Sequence, residues 1–218
     1  MLTSYIYLHG FASSPQSTKA KDLSDRFTKI QIKLKTPDLN AGDFSHLTIT
    51  RQINQVTTEF PDHSVPVTLI GSSLGGLTSA HLAQQNPQVQ RLILLAPAFG
   101  FLSHWLPKLG SEKIQSWQQE QYLLVYHYGE GRELPLSYNF VTDAAQYQES
   151  LLQRPLPTLI LHGKQDEVIP IQASRDFARS RPWVELIELD SDHSLANVTA
   201  QIWQAIRSFC QLGNDYRA

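Results

Sequence analysis

Short apolar runs alternate with longer amphipathic stretches along the whole chain. The runs have the length of buried strands, and the stretches carry apolar residues at helical spacing, as at Ile202, Ile206 and Phe209. Strands that alternate with helices are typical of a parallel sheet covered by helices on both faces. The predicted strands are Ser4 to Leu8, Ile30 to Leu34, Val67 to Ile70, Leu92 to Leu95, Thr158 to Leu161 and Val184 to Leu189. The predicted helices are Ser17 to Phe27, Ser45 to Phe60, Leu74 to Gln85, Gln172 to Ser180 and Ala196 to Phe209.

One stretch, from Ala98 to Arg154, breaks this alternation. It is too long for a connection between a strand and a helix, and it is rich in aromatic residues, with a helix-like part from Lys113 to Tyr126. We interpret residues 98–154 as a cap inserted into the domain. The side chains predicted to line a pocket for a small ligand are Phe99, Phe101 and Trp105. Those predicted to form the buried side of a helix or strand are Leu123, Leu124, Tyr126 and Tyr128.

The length of 218 residues is sufficient for one well-buried domain. We therefore predict a single three-layer, doubly wound α/β domain over residues 1–218, with about six strands in a mostly parallel sheet and the cap as an insertion. Sheets of this class bind their ligands beyond the carboxyl ends of the strands. We therefore expect the functional residues in the loops that follow the strands.

Composition narrows the classes of partner and compartment. No segment approaches the roughly 18 consecutive apolar residues that a membrane span needs, and the N-terminus lacks a secretory-signal pattern, so we expect a cytoplasmic protein. Cys210 is the single cysteine, which excludes an intrachain disulfide and a cysteine-based zinc site. The net charge is −2 and the sequence has no block of Lys or Arg, so it predicts no basic surface for binding nucleic acid or an anionic membrane. A small neutral or mildly polar molecule is the expected partner.

The pentapeptide from Gly71 to Gly75 has the pattern G-x-S-x-G with Ser73 at its centre. The pattern alone is weak, but here it follows a buried-strand run and opens a helical stretch. In that setting the central serine stands on a sharp turn, where a side chain at either glycine would collide with its surroundings. The alternative is a glycine-rich turn capped by Ser72 or Ser73.

A serine hydroxyl becomes a nucleophile only when a base removes its proton. His193 follows one predicted strand and Asp166 follows the strand before it, so serine, acid and histidine occur in the order that an α/β hydrolase requires. Glu167, Asp190 and Asp192 are the carboxylates that could replace Asp166 in this role. The other histidines, at positions 9, 46, 63, 81, 104, 127 and 162, are interpreted as structural.

An oxyanion hole needs one backbone N–H from the residue after the nucleophile and one from a neighbouring loop. Leu74 supplies the first. Phe11, in the loop that follows the first strand, supplies the second if the first and third strands are neighbours in the sheet. His9 is predicted to hold this loop by a side-chain hydrogen bond.

The segment from Tyr7 to Ala20, YLHGFASSPQSTKA, and the segment from Gly71 to Gly76 closely resemble the small bacterial esterases of the YqiA type. The later H-G-x-x-D and D-H elements fit the same family. The resemblance implies an α/β-hydrolase fold and carboxylester hydrolysis without a cofactor. It leaves the physiological substrate open.

These observations predict a serine hydrolase, a carboxylesterase acting on small acyl esters, with Ser73, His193 and Asp166 as its triad and with no metal or organic cofactor. Thioesters and lactones pass through the same tetrahedral intermediate, so a thioesterase or lactonase stays open. A binding protein of hydrolase fold with vestigial hydrolysis is the alternative from another class.

Overall fold

The structure is a computed structural model and describes residues 3–213. Its strands are β1 (Ser4–Leu8), β2 (Leu34–Lys35), β3 (Val67–Ser72), β4 (Val89–Leu95), β5 (Tyr122–His127), β6 (Arg132–Ser137), β7 (Thr158–Gly163) and β8 (Val184–Leu189). Six of them form one sheet in the order β2-β1-β3-β4-β7-β8, and every neighbouring pair is parallel. β1 lies beside β3, as the prediction for Phe11 requires.

Helices cover both faces of this sheet. They are α1 (Thr18–Lys29), α2 (Ile49–Thr58), α3 (Leu74–Gln85), α4 (Phe101–Leu109), α5 (Ser111–Glu120), α6 (Asn139–Ala144), α7 (Ile171–Arg179) and α8 (Thr199–Cys210). Residues of α1 and α8 share one apolar core, and those of α2, α3 and the 98–154 segment share the other. The predicted three-layer α/β fold is therefore confirmed.

Some predicted elements are wrong in their extent. The second strand was expected over Ile30 to Leu34, but α1 continues to Lys29 and Gln31 adopts a left-handed backbone conformation, which leaves only Leu34–Lys35 to pair. The helix expected from Ser45 to Phe60 is a short 3₁₀ turn at Phe44–His46 followed by α2. Thr48 separates them because its side chain caps α2, accepting from the Arg51 N–H at 3.0 Å.

The 98–154 segment holds three α-helices, a 3₁₀ turn at Glu149–Leu151 and an antiparallel hairpin, β5 with β6. The helix-like stretch predicted from Lys113 to Tyr126 ends at Glu120, and Gln121, with a positive φ of 67°, turns the chain into β5. Leu124, Tyr126 and Tyr128 are exposed on the outer side of the hairpin, so the prediction that they pack in the core is wrong. Alternation along a two-stranded ribbon places Leu123 and Val125 toward the core instead.

The described part of the chain, residues 3–213, contains no helix that is both long and apolar enough to cross a membrane. The carboxyl ends of β1, β3, β7 and β8 all open to the same edge of the sheet, because the strands are parallel. The loops that leave these strands carry the residues of the predicted site.

Candidate active site

Ser73 stands between the end of β3 and the start of α3 in a strained backbone conformation. Its φ of 53° and ψ of −119° lie in a region that non-glycine residues rarely adopt, at a cost of about 1–3 kcal/mol. Two backbone hydrogen bonds hold it there: the Ser73 N–H donates to Leu95 O at 2.9 Å, and the Ala98 N–H donates to Ser73 O at 3.0 Å. The turn thus presents the Ser73 hydroxyl, which is half-buried, at the edge of the sheet.

The two glycines of the motif permit this turn because no side chain fits at either position. A Cβ atom added to Gly71 would lie 2.4 Å from the carbonyl oxygen of Gly75, and one added to Gly75 would lie 2.3 Å from that of Leu8. The first turn of α3 therefore packs directly on the end of β1. This contact brings the loop after β1 next to Ser73.

A chain of hydrogen bonds connects Ser73 to His193 and Asp166. The distance from His193 Nε2 to Ser73 Oγ is 3.1 Å, and that from His193 Nδ1 to Asp166 Oδ2 is 2.7 Å. The Asp166 side chain is fully buried, whereas that of His193 is 21% exposed, so one face of the imidazole stays accessible. The structure thus brings together the three side chains predicted from the sequence.

The loops after β7 and β8 meet because β7 ends in a glycine. A Cβ atom added to Gly163 would lie 2.3 Å from the carbonyl oxygen of Ser191, and that same oxygen accepts the Gln165 N–H at 3.0 Å. This close contact places the loop of Asp166 against the loop of His193. In the sequence, only the H-G-x-x-D element points to Gly163, which is the buried last residue of β7.

Four N–H groups surround the Asp166 carboxylate. Oδ1 accepts the backbone N–H groups of Val168 (2.9 Å) and Ile169 (2.8 Å), while Oδ2 accepts from His193 at 2.7 Å and lies 3.1 Å from His162 Nε2. Burial raises the pKa of this carboxyl, but the hydrogen bonds from His162 and His193 outweigh that effect and hold the pKa well below its usual range. The carboxylate is therefore ionised at neutral pH.

The carboxylates that could have replaced Asp166 face elsewhere. Glu167 is exposed, the Asp192 carboxylate accepts from the N–H and hydroxyl of Ser194 at 2.9 and 2.6 Å, and Asp190 accepts from Gln165 at 2.6 Å. His193 is hydrogen-bonded to Asp166 instead.

The loop after β1 lies directly against Ser73. A Cβ atom added to Gly10 would be 3.3 Å from Ser73 Cβ. His9 holds this loop as predicted: its Nε2 accepts the Leu39 N–H at 3.0 Å, so its Nδ1 carries the proton and donates to Gly10 O at 3.0 Å. Burial lowers the pKa of His9, which favours this neutral form. Phe11 thus follows a tightly held glycine, and Leu74 is the first residue of α3, where backbone N–H groups lack intrahelical partners.

Aromatic rings of the 98–154 segment lie against Phe11. Its ring centroid lies 5.2 Å from that of Trp105 and 5.8 Å from that of Phe101, and both rings belong to α4. Trp105 is half-buried, while Phe101 is nearly completely buried. Phe99 lies apart from this cluster: its ring stacks on Phe177 of α7 at 4.1 Å.

Lys19, near the start of α1, is half-buried, and its charge interacts with that of Asp166. Burial lowers its pKa to about 8, and the negative charges of Asp166 and Asp192 oppose that shift. Within residues 3–213, no group of three or more His, Cys, Asp or Glu side chains is arranged to hold a metal ion.

Known proteins resemble this chain in both sequence and fold. The mouse mitochondrial palmitoyl-protein thioesterase ABHD10 is 28% identical over 189 residues, which are 79% of this chain and 62% of that protein, so the chain spans less than two thirds of its relative. The solved structure of mouse alpha/beta hydrolase domain-containing protein 10 superposes with a TM-score of 0.77 at 23% identity, covering 96% of this chain and 88% of the other. Est1E from Butyrivibrio proteoclasticus, with ferulic acid bound, superposes with a TM-score of 0.78 at 20% identity and the same two coverages.

These relatives are hydrolases, among them an esterase and a thioesterase, and their structures show that the fold is that of the α/β hydrolases. The model of one family, described as uncharacterised protein family UPF0227, matches residues 4–210. The chain therefore belongs to UPF0227, the YqiA-type family of the α/β hydrolases that its two N-terminal motifs resemble.

Proposed function

We propose that this protein is a serine hydrolase that cleaves small carboxylic esters through an acyl-enzyme. The observation that supports this most directly is the hydrogen-bonded chain from Ser73 Oγ through His193 to the buried Asp166 carboxylate. A serine on a strained turn, a histidine in contact with it and an ionised acid behind the histidine are the groups that acyl transfer needs.

In the proposed reaction, His193 Nε2 takes the proton of Ser73 as the Oγ atom attacks the ester carbonyl carbon. The backbone N–H groups of Leu74 and Phe11 stabilise the oxyanion that forms. His193 then gives its proton to the departing alcohol, which leaves the acyl group on Ser73. Water, deprotonated by the same histidine, releases the acid and restores the serine.

Asp166 orients the base in this reaction. Because its Oδ2 accepts the proton on His193 Nδ1, it holds Nε2 in the unprotonated form that faces Ser73. Its low pKa keeps it charged, so it also stabilises the imidazolium that forms during each proton transfer.

The apolar wall formed by Phe11, Phe101 and Trp105 favours an apolar acyl or alcohol group. A thioesterase is the second candidate, because the sequence relative ABHD10 is named as a palmitoyl-protein thioesterase. Both activities use the same acyl-enzyme, so the choice depends on the leaving group and the acyl pocket.

A fluorophosphonate probe and a short activated ester test the proposal. Wild type is expected to be labelled at Ser73 and to hydrolyse the ester, while Ser73→Ala is expected to lose both, by several orders of magnitude in turnover. Ser72→Ala is the matched control, since it alters the neighbouring serine of the same turn and should keep labelling and turnover.

An unlabelled wild-type protein would contradict the proposal and favour the alternative of a binding protein with vestigial hydrolysis. A matched pair of substrates with one acyl group, as an oxygen ester and as a thioester, separates the two candidate activities. The ratio of their kcat/KM values decides which leaving group the enzyme prefers.

A further inference from the structure

His162, at the end of β7, is completely buried and fully hydrogen-bonded. Its Nε2 lies 3.1 Å from Asp166 Oδ2 and 3.0 Å from the carbonyl oxygen of Ile169. On the other side of the ring, its Nδ1 lies 2.7 Å from the hydroxyl oxygen of Ser174, a buried residue of α7. This histidine therefore connects the carboxylate of the site to the helix that follows it.

The partners of the ring define where its proton lies. Both oxygens near Nε2, on Asp166 and Ile169, are acceptors, so Nε2 must carry a hydrogen and donate it. The Ser174 hydroxyl can donate as well as accept, and it is free to donate to Nδ1. A neutral His162 carries one hydrogen on Nε2, which the Ile169 carbonyl accepts at 3.0 Å and which Asp166 Oδ2, at 3.1 Å, shares.

This arrangement gives Asp166 Oδ2 two imidazole donors, His193 and His162, while two backbone N–H groups occupy Oδ1. A carboxylate with two donors on each oxygen cannot rotate without breaking several charge-assisted hydrogen bonds. Removing the His162 donor would leave Oδ2 held by His193 alone. The orientation of the Asp166 carboxylate would then depend on His193, the residue that Asp166 itself orients in the proposed reaction.

We propose that His162 is a positioning residue of the active site: its Nε2–H fixes the Asp166 carboxylate so that Oδ2 stays in line with His193 Nδ1, and Ser174 fixes the His162 tautomer. The inference rests on the proposed function. It differs from a purely structural role for a buried histidine because it assigns the effect to one nitrogen, the one that faces Asp166.

Two amide substitutions separate the two nitrogens. His162→Gln places an amide nitrogen close to the position of Nε2, within reach of Asp166, whereas the shorter His162→Asn reaches only the position of Nδ1, beside Ser174. Ester hydrolysis by His162→Asn is expected to show kcat lowered by about tenfold to a hundredfold, the equivalent of one hydrogen bond to a charged group, with KM little changed. His162→Gln is expected to recover most of that loss.

The control is His81→Asn, which alters another buried histidine, on α3, and should leave kcat unchanged. Thermal unfolding of each variant measures the loss of stability separately from turnover. The proposal is overturned if His162→Asn turns over within about twofold of wild type, or if His162→Gln is as slow as His162→Asn at equal stability.

A second readout does not depend on turnover. The low-field proton NMR signal of the His193 Nδ1–H, hydrogen-bonded to Asp166, should persist in wild type and His162→Gln and be lost or broadened in His162→Asn. Loss of the signal in the Asn variant alone supports positioning even if no ester is hydrolysed, in which case only the proposed function fails. An unchanged signal in all three proteins overturns the inference.

Discussion

The backbone N–H of Tyr128 donates a hydrogen bond to the carbonyl oxygen of Ala12 over 2.8 Å. Tyr128 belongs to the turn between β5 and β6, and Ala12 follows Phe11 in the loop beside Ser73. The β5–β6 hairpin therefore supports the loop that holds the proposed oxyanion donor. From the other side, Asn40 donates its side-chain amide to Ser13 O at 2.8 Å.

A substitution at Gly129 tests whether the hairpin supports this loop. Ser14, in the loop after β1, leaves no room for a side chain at position 129. A Cβ atom at position 129 would lie 2.8 Å from Ser14 Cβ, so Gly129→Ala must displace the turn from the loop. We expect kcat for ester hydrolysis to fall several-fold, on the scale of about 1 kcal/mol in the barrier. Adding Ser14→Gly removes the clashing atom and should restore the rate. Failure of the double variant to recover would show that the hairpin acts by another route.

Asp166→Asn is expected to lower kcat by about a thousandfold or more. If the amide presents its nitrogen to His193, Nδ1 must accept and the proton moves to Nε2, which can then no longer take the Ser73 proton. Glu167→Gln and Asp192→Asn are controls in which an exposed neighbouring carboxylate loses its charge, and each should stay within a few-fold of wild type. Steady-state kinetics of the three variants on one ester measure the difference. An equal loss in either control would mean that His193 depends on a different acid.

Lys19→Met is expected to stabilise the protein at neutral pH and to lose this advantage as the pH rises. Burial lowers the pKa of Lys19 to about 8 in the folded chain, below its unfolded value of about 10.5. Between these values the unfolded chain binds more protons, so wild-type stability rises with pH while the methionine variant lacks this gain.

Urea unfolding of both proteins from pH 7 to 10 measures the difference in free energy of unfolding. Tyr5 and Tyr7, whose pKa burial raises to about 12, are present in both proteins and cancel in the comparison. A difference that stays constant across this range would contradict the assigned titration of Lys19.

Trp105→Ala is expected to change which ester chain length the enzyme prefers. The Trp105 ring is half-buried beside Phe11, and contacts of this size discriminate between substrates by roughly 1–3 kcal/mol. Phe101→Ala should act in the same direction but also cost about 3–5 kcal/mol of stability, because Phe101 is a core residue. Ratios of kcat/KM over esters of graded length measure the preference.

Phe99→Leu provides the comparison, since the Phe99 ring stacks on Phe177 and not on Phe11. It should leave the chain-length preference unchanged. If Trp105→Ala and Phe101→Ala also leave it unchanged, the inserted segment does not form the acyl pocket.

Some features of this protein follow from local sequence alone. Buried runs and helical spacing predicted the six-stranded sheet, and the glycines around Ser73 predicted a turn that excludes side chains at positions 71 and 75. These signals are reliable because each depends on neighbours within a few residues: the period of an element, or the space around one turn.

Other features were decided only by contacts between distant parts of the chain. Four carboxylates, at positions 166, 167, 190 and 192, could serve His193 by sequence alone, and the packing of Gly163 against Ser191 brings Asp166 to it. The same applies to His162, whose role depends on Ser174 and on a loop that returns to it. The β5–β6 hairpin, too, exposes residues that look like core, because a two-stranded ribbon buries only one of its faces. The periodicity of a sequence shows which positions are apolar. Whether those positions are buried depends on packing against parts of the chain that are distant in sequence.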